Sequence, residues 1–145
     1  MKKEITFKEL KSSGYKEKSI KEEIQSNMLT RIKSGKDVFN GLFGYEDTVI
    51  PQLKRAILAG HNINLLGLRG QAKTKIARGM TDLLDEYMPI VKGSEINDSP
   101  FAPISKFAKD LICEKGDDTP ITWVHRSERF YEKLATPDVN ISDLI

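Results

Sequence analysis

Four residues between positions 67 and 74 have the types and the spacing that phosphate binding requires. Gly67 and Gly70 lie in a turn, and Lys73 and Thr74 follow this turn directly. In a phosphate-binding loop, backbone N–H groups surround the phosphate, the lysine ammonium contacts its outer oxygens, and the Thr hydroxyl ligates Mg²⁺. Ala72 occupies the position of the second glycine in the common pattern G-x-x-x-x-G-K-[ST]. The pattern is therefore incomplete, and the neighbouring elements have to support it.

The elements predicted on either side of this turn are those that a phosphate-binding loop requires. The short apolar run from Ile63 to Leu66 predicts a β-strand before the turn, although Asn62 and Asn64 interrupt its apolar character. After the turn, apolar residues recur at helical spacing and predict a helix of about four turns with one buried face. The residues of that face are Ile76, Met80, Leu83, Leu84 and Tyr87. A strand, a glycine-bearing turn and a helix in this order favour phosphate binding.

The segment GLFGYEDT, at positions 41 to 48, is the second candidate for a binding role. Its two glycines flank Leu42 and Phe43 and indicate a tight backbone. One interpretation is a linker whose apolar pair fills a gap in the core, and the other is a loop that contacts an adenine base. The residues alone leave both open. A helix follows, and Pro51 places its start near Asp47 or Thr48.

Helices are predicted for the N-terminal part of the chain, with a break at residues 12–14. Thr6 with Glu9 and Ser19 with Glu22 have the spacing of capping boxes, which mark two helix starts. In the second helix a narrow apolar stripe runs along one face, with Leu29 beside it. The stripe consists of Ile20, Ile24, Met28 and Ile32. Such a stripe needs a partner surface, either on the same domain or on a neighbouring subunit.

The second half of the chain predicts two strands and one helix. The strands are at residues 88–91 and 121–124, and the helix is expected to begin at Pro103. Arg126 and Arg129, after the second strand, are interpreted as solvated charges, although contact with a phosphate or a neighbouring subunit is an alternative. Turn-rich surroundings predict capping and solvation, not catalysis, for four carboxylates. These are Glu95, Asp98, Asp117 and Asp118.

Length and composition restrict the class of protein. A chain of 145 residues is enough for one domain with a sizeable core. Because 23 basic residues nearly balance 21 acidic ones, we expect no nucleic-acid or membrane partner. Cys113 is the only cysteine, so no disulfide framework is expected. The charged N-terminus is unlike a signal peptide, and no apolar run reaches membrane-spanning length. We therefore expect a cytoplasmic protein.

Four stretches together resemble the AAA+ ATPases of the magnesium-chelatase ChlI-like and MoxR-like group. They read GLFGYEDTVIPQL, LAGHNINLLGLRGQAKT, GSEINDSP and ERFYEKLATPDVNISDLI, and the resemblance covers roughly residues 19–145. This group commonly writes its phosphate loop as G-x-x-G-x-A-K-[ST], in which Ala72 is the expected residue. The resemblance implies an α/β fold with a partial P-loop NTPase core and a helical N-terminal extension. Residues 1–38 would form the extension and residues 39–145 an incomplete nucleotide-binding domain.

The resemblance also implies the ligands and the residues that hold them. ATP and Mg²⁺ would be the cofactors, with Lys73 on the β- and γ-phosphates and Thr74 on the metal. The phosphate loop would comprise Gly67, Leu68, Arg69, Gly70, Gln71, Ala72, Lys73 and Thr74, and the stretch beside the adenine would comprise Leu42, Phe43, Gly44 and Tyr45. Family members assemble as hexameric rings that couple ATP hydrolysis to the remodelling of a protein partner.

The residues needed for hydrolysis are not among those that the resemblance assigns to this chain. Family members extend well beyond the matched region, and their acidic Walker B strand, sensor residues and arginine finger lie there. No apolar run ending in Asp-Glu occurs in the 145 residues. We therefore expect an N-terminal fragment that binds ATP without catalytic residues of its own. The alternative is a non-hydrolysing helical module that assembles with protein partners through the apolar stripe.

Overall fold

Five helices and a three-stranded sheet make up the part of the chain that the computed structural model describes, which is residues 3–39, 41–133 and 142. The helices are α1 (Phe7–Ser12), α2 (Ile20–Lys33), α3 (Val49–Leu58), α4 (Lys73–Gly79) and α5 (Lys106–Lys115). The strands are β1 (Ile5–Thr6), β2 (Tyr87–Val91) and β3 (Pro120–His125). Short 3₁₀ helices cover Met80–Leu83, Gly116–Asp118 and Arg126–Arg129. Most of the segment from residue 128 to 145 that carries the family resemblance lies outside the described residues.

The sheet has β3 at its centre and is antiparallel throughout. Its order is β1-β3-β2, and Ile121 of β3 lies opposite both Ile5 and Val91. The strands predicted at residues 88–91 and 121–124 are confirmed, and their apolar residues explain why. A P-loop core has a parallel sheet, and every strand pair among the described residues is antiparallel. The described fold is thus mixed α/β, and the P-loop core stays a proposal.

Both predicted capping boxes are present. The Thr6 hydroxyl accepts from the Glu9 N–H, and the Glu9 carboxylate accepts from the Thr6 N–H at 2.8 Å. Ser19 and Glu22 form the same reciprocal pair at the start of α2, and these hydrogen bonds from Ser19 lower the pKa of Glu22. Each box satisfies two backbone donors that the helix itself leaves unpaired. Purely local sequence signals therefore set these two helix starts.

The larger apolar cluster lies between α2, α3 and α4. Met28 from the predicted stripe is fully buried in it, whereas Ile20 is 62 % exposed and Ile32 is 42 % exposed. The buried members are Met28, Val38, Phe39, Leu42, Leu53, Ile57, Ile76 and Leu83. The domain therefore covers only the middle of the stripe. Residues on both sides of the proposed boundary at position 38 share this cluster.

A second, smaller cluster joins α1 to the sheet. Phe7 and Leu10 of α1 pack with Ile121 of the central strand, and Trp123 borders them. The Phe7 N–H donates to the Thr119 carbonyl at 2.9 Å, which fixes the start of α1 beside β3. The N-terminal part of the chain was predicted to form only helices, but it also supplies strand β1 and two side chains of the core beside the sheet.

The strand predicted at Ile63–Leu66 is wrong, because residues 61–68 have no regular secondary structure. A four-residue segment becomes a strand only by pairing with another strand, and the three described strands pair with one another. Leu65 packs against the larger cluster, but Leu66 is 87 % exposed and Ile63 is 36 % exposed, so the core covers only part of the segment. Asn62 and Asn64 weaken its strand preference further.

The helix after the turn is shorter than predicted. It runs as α4 over Lys73–Gly79, continues as a 3₁₀ helix over Met80–Leu83, and gives way to extended backbone at Leu84. Two side chains of α2 hold this end: Asn27 donates to the Leu83 carbonyl at 2.9 Å, and Glu23 accepts from the Asp85 N–H at 2.6 Å. These tertiary hydrogen bonds end the helix where the apolar periodicity alone would continue it.

The helix predicted from Pro103 begins three residues later. Ser105 is its N-cap and accepts from the Ala108 N–H at 3.1 Å. The buried Asp98 carboxylate accepts from the Ile104 and Ser105 N–H groups and from the hydroxyls of Ser94 and Ser105. The predicted capping role of Asp98 is therefore confirmed, whereas its predicted solvation is wrong, because the side chain is buried among its donors. The Asp98 contacts explain the shift of the helix start.

The interpretation of Arg129 as a solvated charge is wrong, because its guanidinium forms a buried ion pair. Nη1 and Nη2 of Arg129 each donate to one oxygen of the Glu23 carboxylate at 2.6 Å. The side chain of Arg129 is only 7 % exposed and that of Glu23 only 6 %. Glu23 lies on α2 and Arg129 lies just after β3, so the pair joins the helical part to the sheet.

Replacing Arg129 with Met is expected to lower the free energy of unfolding by about 3 kcal/mol, because it leaves the Glu23 charge buried and unpaired. Urea unfolding measures this loss. In the double variant Glu23→Gln/Arg129→Met, a neutral amide oxygen still faces the Asp85 N–H, so most of the stability should return.

The exposed Lys92–Glu4 pair, at 2.7 Å, provides the matched control for this prediction. Glu4→Gln should cost less than about 0.5 kcal/mol, because solvent screens an exposed pair. Equal losses for Arg129→Met and Glu4→Gln would contradict the importance assigned to the buried pair.

Stability should fall in acid because of Asp98. The Ser105 hydroxyl, together with the backbone N–H donors, holds the pKa of this carboxyl far below its ordinary value. Because the folded pKa is the lower one, this stabilisation is present above the unfolded value of about 3.9 and is lost as pH falls below it. Thermal unfolding between roughly pH 6 and pH 2.5 should therefore show a smaller decrease for Asp98→Asn than for the wild type. The exposed Asp110→Asn variant should keep the wild-type profile.

Candidate functional site

The Lys73 side chain closes the predicted phosphate loop. Its ammonium donates to the Gly67 carbonyl at 2.8 Å and to the Leu68 carbonyl at 2.5 Å. These bonds join the first residue of the pattern to its lysine, six positions later. The chain between them forms a ring with a cation at its mouth, so a negatively charged group approaching this mouth meets the ammonium directly.

The ring requires two left-handed residues, Gly70 at φ +81° and Ala72 at φ +55°. Glycine adopts this conformation without strain, whereas alanine has a Cβ that crowds the backbone. Ala72 therefore occupies the position of the pattern's second glycine and also adopts the conformation that favours glycine. This agreement between the pattern and the backbone is the main structural reason for regarding residues 67–74 as a loop of this kind.

Backbone donors of the loop are available to an anion. Among the described residues, the N–H groups of Gly70 and Ala72 have no hydrogen-bond partner, whereas the Leu68 N–H donates to the Gln71 side chain at 2.9 Å and the turn at residues 69 and 70 directs the Gln71 N–H toward the Leu68 carbonyl. Gly70 is exposed to solvent, whereas Ala72 is half-buried against the larger cluster. Backbone N–H groups in such turns can bind anions, and the Gly70 N–H is the donor of the two that solvent reaches more easily.

The cleft beside the loop is strongly positive. It has a volume of about 730 Å³ and is lined by Arg69, Gly70, Gln71, Ala72, Lys73, Thr74, Lys75 and Arg78. Four of these residues are cationic and none is acidic. Arg78 also binds Glu132 through two hydrogen bonds of 2.8 and 3.1 Å, which raise the pKa of Arg78 and lower that of Glu132. Such a lining attracts phosphate groups.

The other predicted site segment, Leu42 to Tyr45, lies next to α4. The Lys75 ammonium donates to the Gly41 carbonyl at 2.5 Å, which connects this segment to the loop. Leu42 is buried in the larger cluster, so the core-packing interpretation describes its side chain. Phe43 is 84 % exposed, Gly44 is left-handed at φ +80°, and Tyr45 is half-buried. The exposed aromatic ring of Phe43 is thus the member of this segment that is most accessible to a ligand.

Thr74 is the single residue predicted to ligate Mg²⁺, and its side chain is exposed on the first turn of α4. Within residues 3–39, 41–133 and 142, no group of three or more His, Cys, Asp or Glu residues could hold a metal ion. A hydroxyl alone is a weak ligand, and Mg²⁺ in nucleotide sites takes most of its ligands from phosphates and water. The arrangement is therefore compatible with a metal that arrives with a nucleotide.

Sequence reasoning missed two cations of the cleft, Lys75 and Arg78. They lie two and five positions after Lys73, and such spacings do not place residues on the same face of a helix, so the sequence contained no signal for grouping them with Lys73. Lys75 lies two positions after Lys73, and the motif gives it no role. Only the three-dimensional position of Gly41 reveals its contact.

Comparison with protein-family models, with curated proteins and with solved structures finds no match for this chain. The described helices include none that is long and apolar enough to cross a membrane. The site is consequently defined by its own geometry, which is an exposed, cation-lined loop on a small mixed α/β protein.

The conformation of Ala72 predicts the effect of substitutions there. Ala72→Gly removes about 1 kcal/mol of backbone strain from the folded chain. It also raises the conformational entropy of the unfolded chain, which costs a similar free energy, so the free energy of unfolding should change little. Ala72→Val should cost more than about 1 kcal/mol, because a β-branched residue strongly disfavours positive φ. Urea unfolding compares both with Ala59→Val, where the same change is made at an exposed residue of φ −78°. Equal costs for the two valines would contradict the strained conformation.

Proposed function

We propose that this chain binds ATP with Mg²⁺ at the loop Gly67–Thr74. The observation that carries the proposal is the position of Lys73, whose ammonium spans the loop to the carbonyls of Gly67 and Leu68. A lysine held at the mouth of an exposed loop could exchange these carbonyls for phosphate oxygens, with the Gly70 N–H as a further donor.

The charge of the cleft supports a polyphosphate as the ligand. Among the described residues, Arg69 and Lys73 have no carboxylate within 4.0 Å, so their charges are not neutralised by an ion pair. A triphosphate carries several negative charges and would offset a cluster of this size better than a single phosphate. The exposed Thr74 hydroxyl lies beside Lys73 in sequence, where it could ligate the Mg²⁺ that accompanies the nucleotide.

We place this binding function in an AAA+ ATPase similar to the magnesium-chelatase and MoxR-like group. The support is the four matching stretches, together with the left-handed Ala72 in a loop that this group writes with alanine. The proposal includes a P-loop core, a hexameric ring of identical subunits, a cytoplasmic setting and an unidentified protein partner that the ring remodels. It includes no nucleic-acid partner.

Hydrolysis in such a ring depends on positioning and on electrostatic stabilisation of the transferred phosphoryl group. Lys73 and a Thr74-bound Mg²⁺ would supply part of that stabilisation. An acidic residue that orients the attacking water is also needed, and we assign none within these residues. We therefore expect this chain to bind ATP with negligible turnover.

A second candidate function is a helical assembly module that uses no nucleotide. The observation in its favour is the incompletely covered stripe of α2, where Ile20 and Ile32 remain exposed and Leu29 is also accessible. Exposed apolar residues in a row can mark a protein-binding surface. This function requires neither Lys73 nor the cationic cleft, so a nucleotide titration distinguishes the two candidates.

Titration calorimetry with Mg-ATP tests the proposal. The wild type should bind saturably, and Lys73→Ala should weaken binding by about 10-fold to 100-fold, because charge-assisted hydrogen bonds to phosphate are lost. Thr74→Ala should reduce the gain in affinity that Mg²⁺ brings. Lys109→Ala removes an exposed cation of α5 and should bind as the wild type does.

Two results would contradict this proposal. One is the absence of saturable binding by the wild-type chain, which would leave the assembly module as the better candidate. The other is equal binding by the Lys73→Ala and Lys109→Ala variants, which would show that ATP binds elsewhere.

A further inference from the structure

Two lysines of α4 hold two different segments of the chain. Lys73 binds the carbonyls of Gly67 and Leu68 within its own loop, and Lys75 binds the carbonyl of Gly41, 34 positions away in sequence. The contact of Lys75 is therefore tertiary. It fixes the distance between the start of α4 and the segment Gly41–Tyr45.

Gly41 is adapted to this contact. Its φ is +74°, and a Cβ at this position would lie 3.3 Å from the Lys75 ammonium nitrogen. Any other residue would be strained in this conformation and would also crowd the lysine. The backbone of Gly41 thus presents its carbonyl to Lys75 in a way that requires glycine.

The segment that Lys75 holds has one anchored and one accessible apolar side chain. Leu42 is buried in the larger cluster, whereas Phe43 is 84 % exposed. A phenylalanine with this exposure, between the left-handed Gly41 and Gly44, gains little from packing within the protein. Aromatic rings in this situation are suited to stacking on a nucleic base, which is worth about 1–3 kcal/mol per base.

We propose that Lys75 is a positioning residue for the nucleoside part of the ligand. Leu42 anchors the segment in the core beside α4, and the bond from Lys75 to the Gly41 carbonyl orients the backbone that leads to Phe43, so that the base would contact this segment while the phosphates contact the loop. The inference rests on the proposed function, since it requires ATP at residues 67–74. It assigns Lys75 to the segment and not to the phosphates, because its ammonium already binds a carbonyl of that segment.

A comparison of two ligands separates positioning from phosphate contact. Titration calorimetry measures the dissociation constants of Mg-ATP and of Mg-tripolyphosphate, which has the phosphate chain without the nucleoside. The variants are Lys75→Met, which keeps the length of the side chain without its donor, and Lys75→Arg, which keeps a donor. Lys109→Met, on α5, is the control for the loss of one positive charge.

Lys75→Met should weaken ATP binding by about fivefold, the equivalent of one hydrogen bond, and should leave tripolyphosphate binding within about twofold of the wild type. Lys75→Arg should restore most of the ATP affinity, and Lys109→Met should change neither ligand. Thermal unfolding of the Lys75 variants should match the wild type, because the exposed hydrogen bond contributes little to stability.

The results that would overturn the inference differ from those that would overturn the proposed function. Equal weakening of ATP and tripolyphosphate by Lys75→Met would show that Lys75 contacts phosphate, and unchanged ATP binding would show that the Gly41 contact has no role. In both cases wild-type binding of ATP remains. Loss of all ATP binding by the wild type would instead overturn the proposed function and this inference with it.

Discussion

The buried ion pair between Glu23 and Arg129 is the constraint on which the arrangement of this chain depends. A buried carboxylate has to find partners for both oxygens, and Glu23 finds them in the Arg129 guanidinium and in the Asp85 N–H. These partners come from the 3₁₀ helix that follows β3 and from the segment between α4 and β2. One side chain of α2 therefore connects the sheet, the helical part and the connection that follows the loop helix.

This constraint also determines how the candidate site is supported. The helix that carries Lys73 and Thr74 is followed by a 3₁₀ turn whose end is held by Asn27 and Glu23, and Ile76 of the same helix packs into the larger cluster. The loop before the helix is exposed and makes few contacts beyond those of its own lysine. An exposed loop on a packed helix is a common arrangement for binding residues, because the scaffold fixes the helix while the loop remains accessible.

The features that were predictable from the sequence are those that nearby residues determine. The capping boxes at Thr6 and Ser19 depend on residues three positions apart, and both are present. The strand predicted at Ile63–Leu66 depended on a partner strand, and its own residues cannot supply one. The buried state of Arg129 was likewise inaccessible, because Glu23 lies 106 positions away in sequence.

The candidate site likewise has one part that nearby residues determine and one part that depends on residues distant in sequence. The glycine and lysine spacing of residues 67–74 is local, and the structure gives Gly70 and Ala72 left-handed conformations in the turn that this spacing predicts. The role of Lys75 depends on Gly41, and the motif contains no information about that residue. The sequence could thus indicate a phosphate loop without indicating what holds the neighbouring segment beside it.

The bonds of the two lysines suggest different behaviour toward a ligand. The Lys73 ammonium binds carbonyls of the loop that, under the proposed function, would itself surround a phosphate. Binding would replace these two neutral acceptors with charged phosphate oxygens, which form stronger hydrogen bonds with an ammonium group. The Lys75 ammonium binds a carbonyl outside the loop, and exchanging that bond would remove a contact between α4 and the segment that contains Phe43, which Leu42 still anchors in the core. The same residue type, two positions apart on one helix, is thus suited to bind the ligand in one case and to hold the protein in the other.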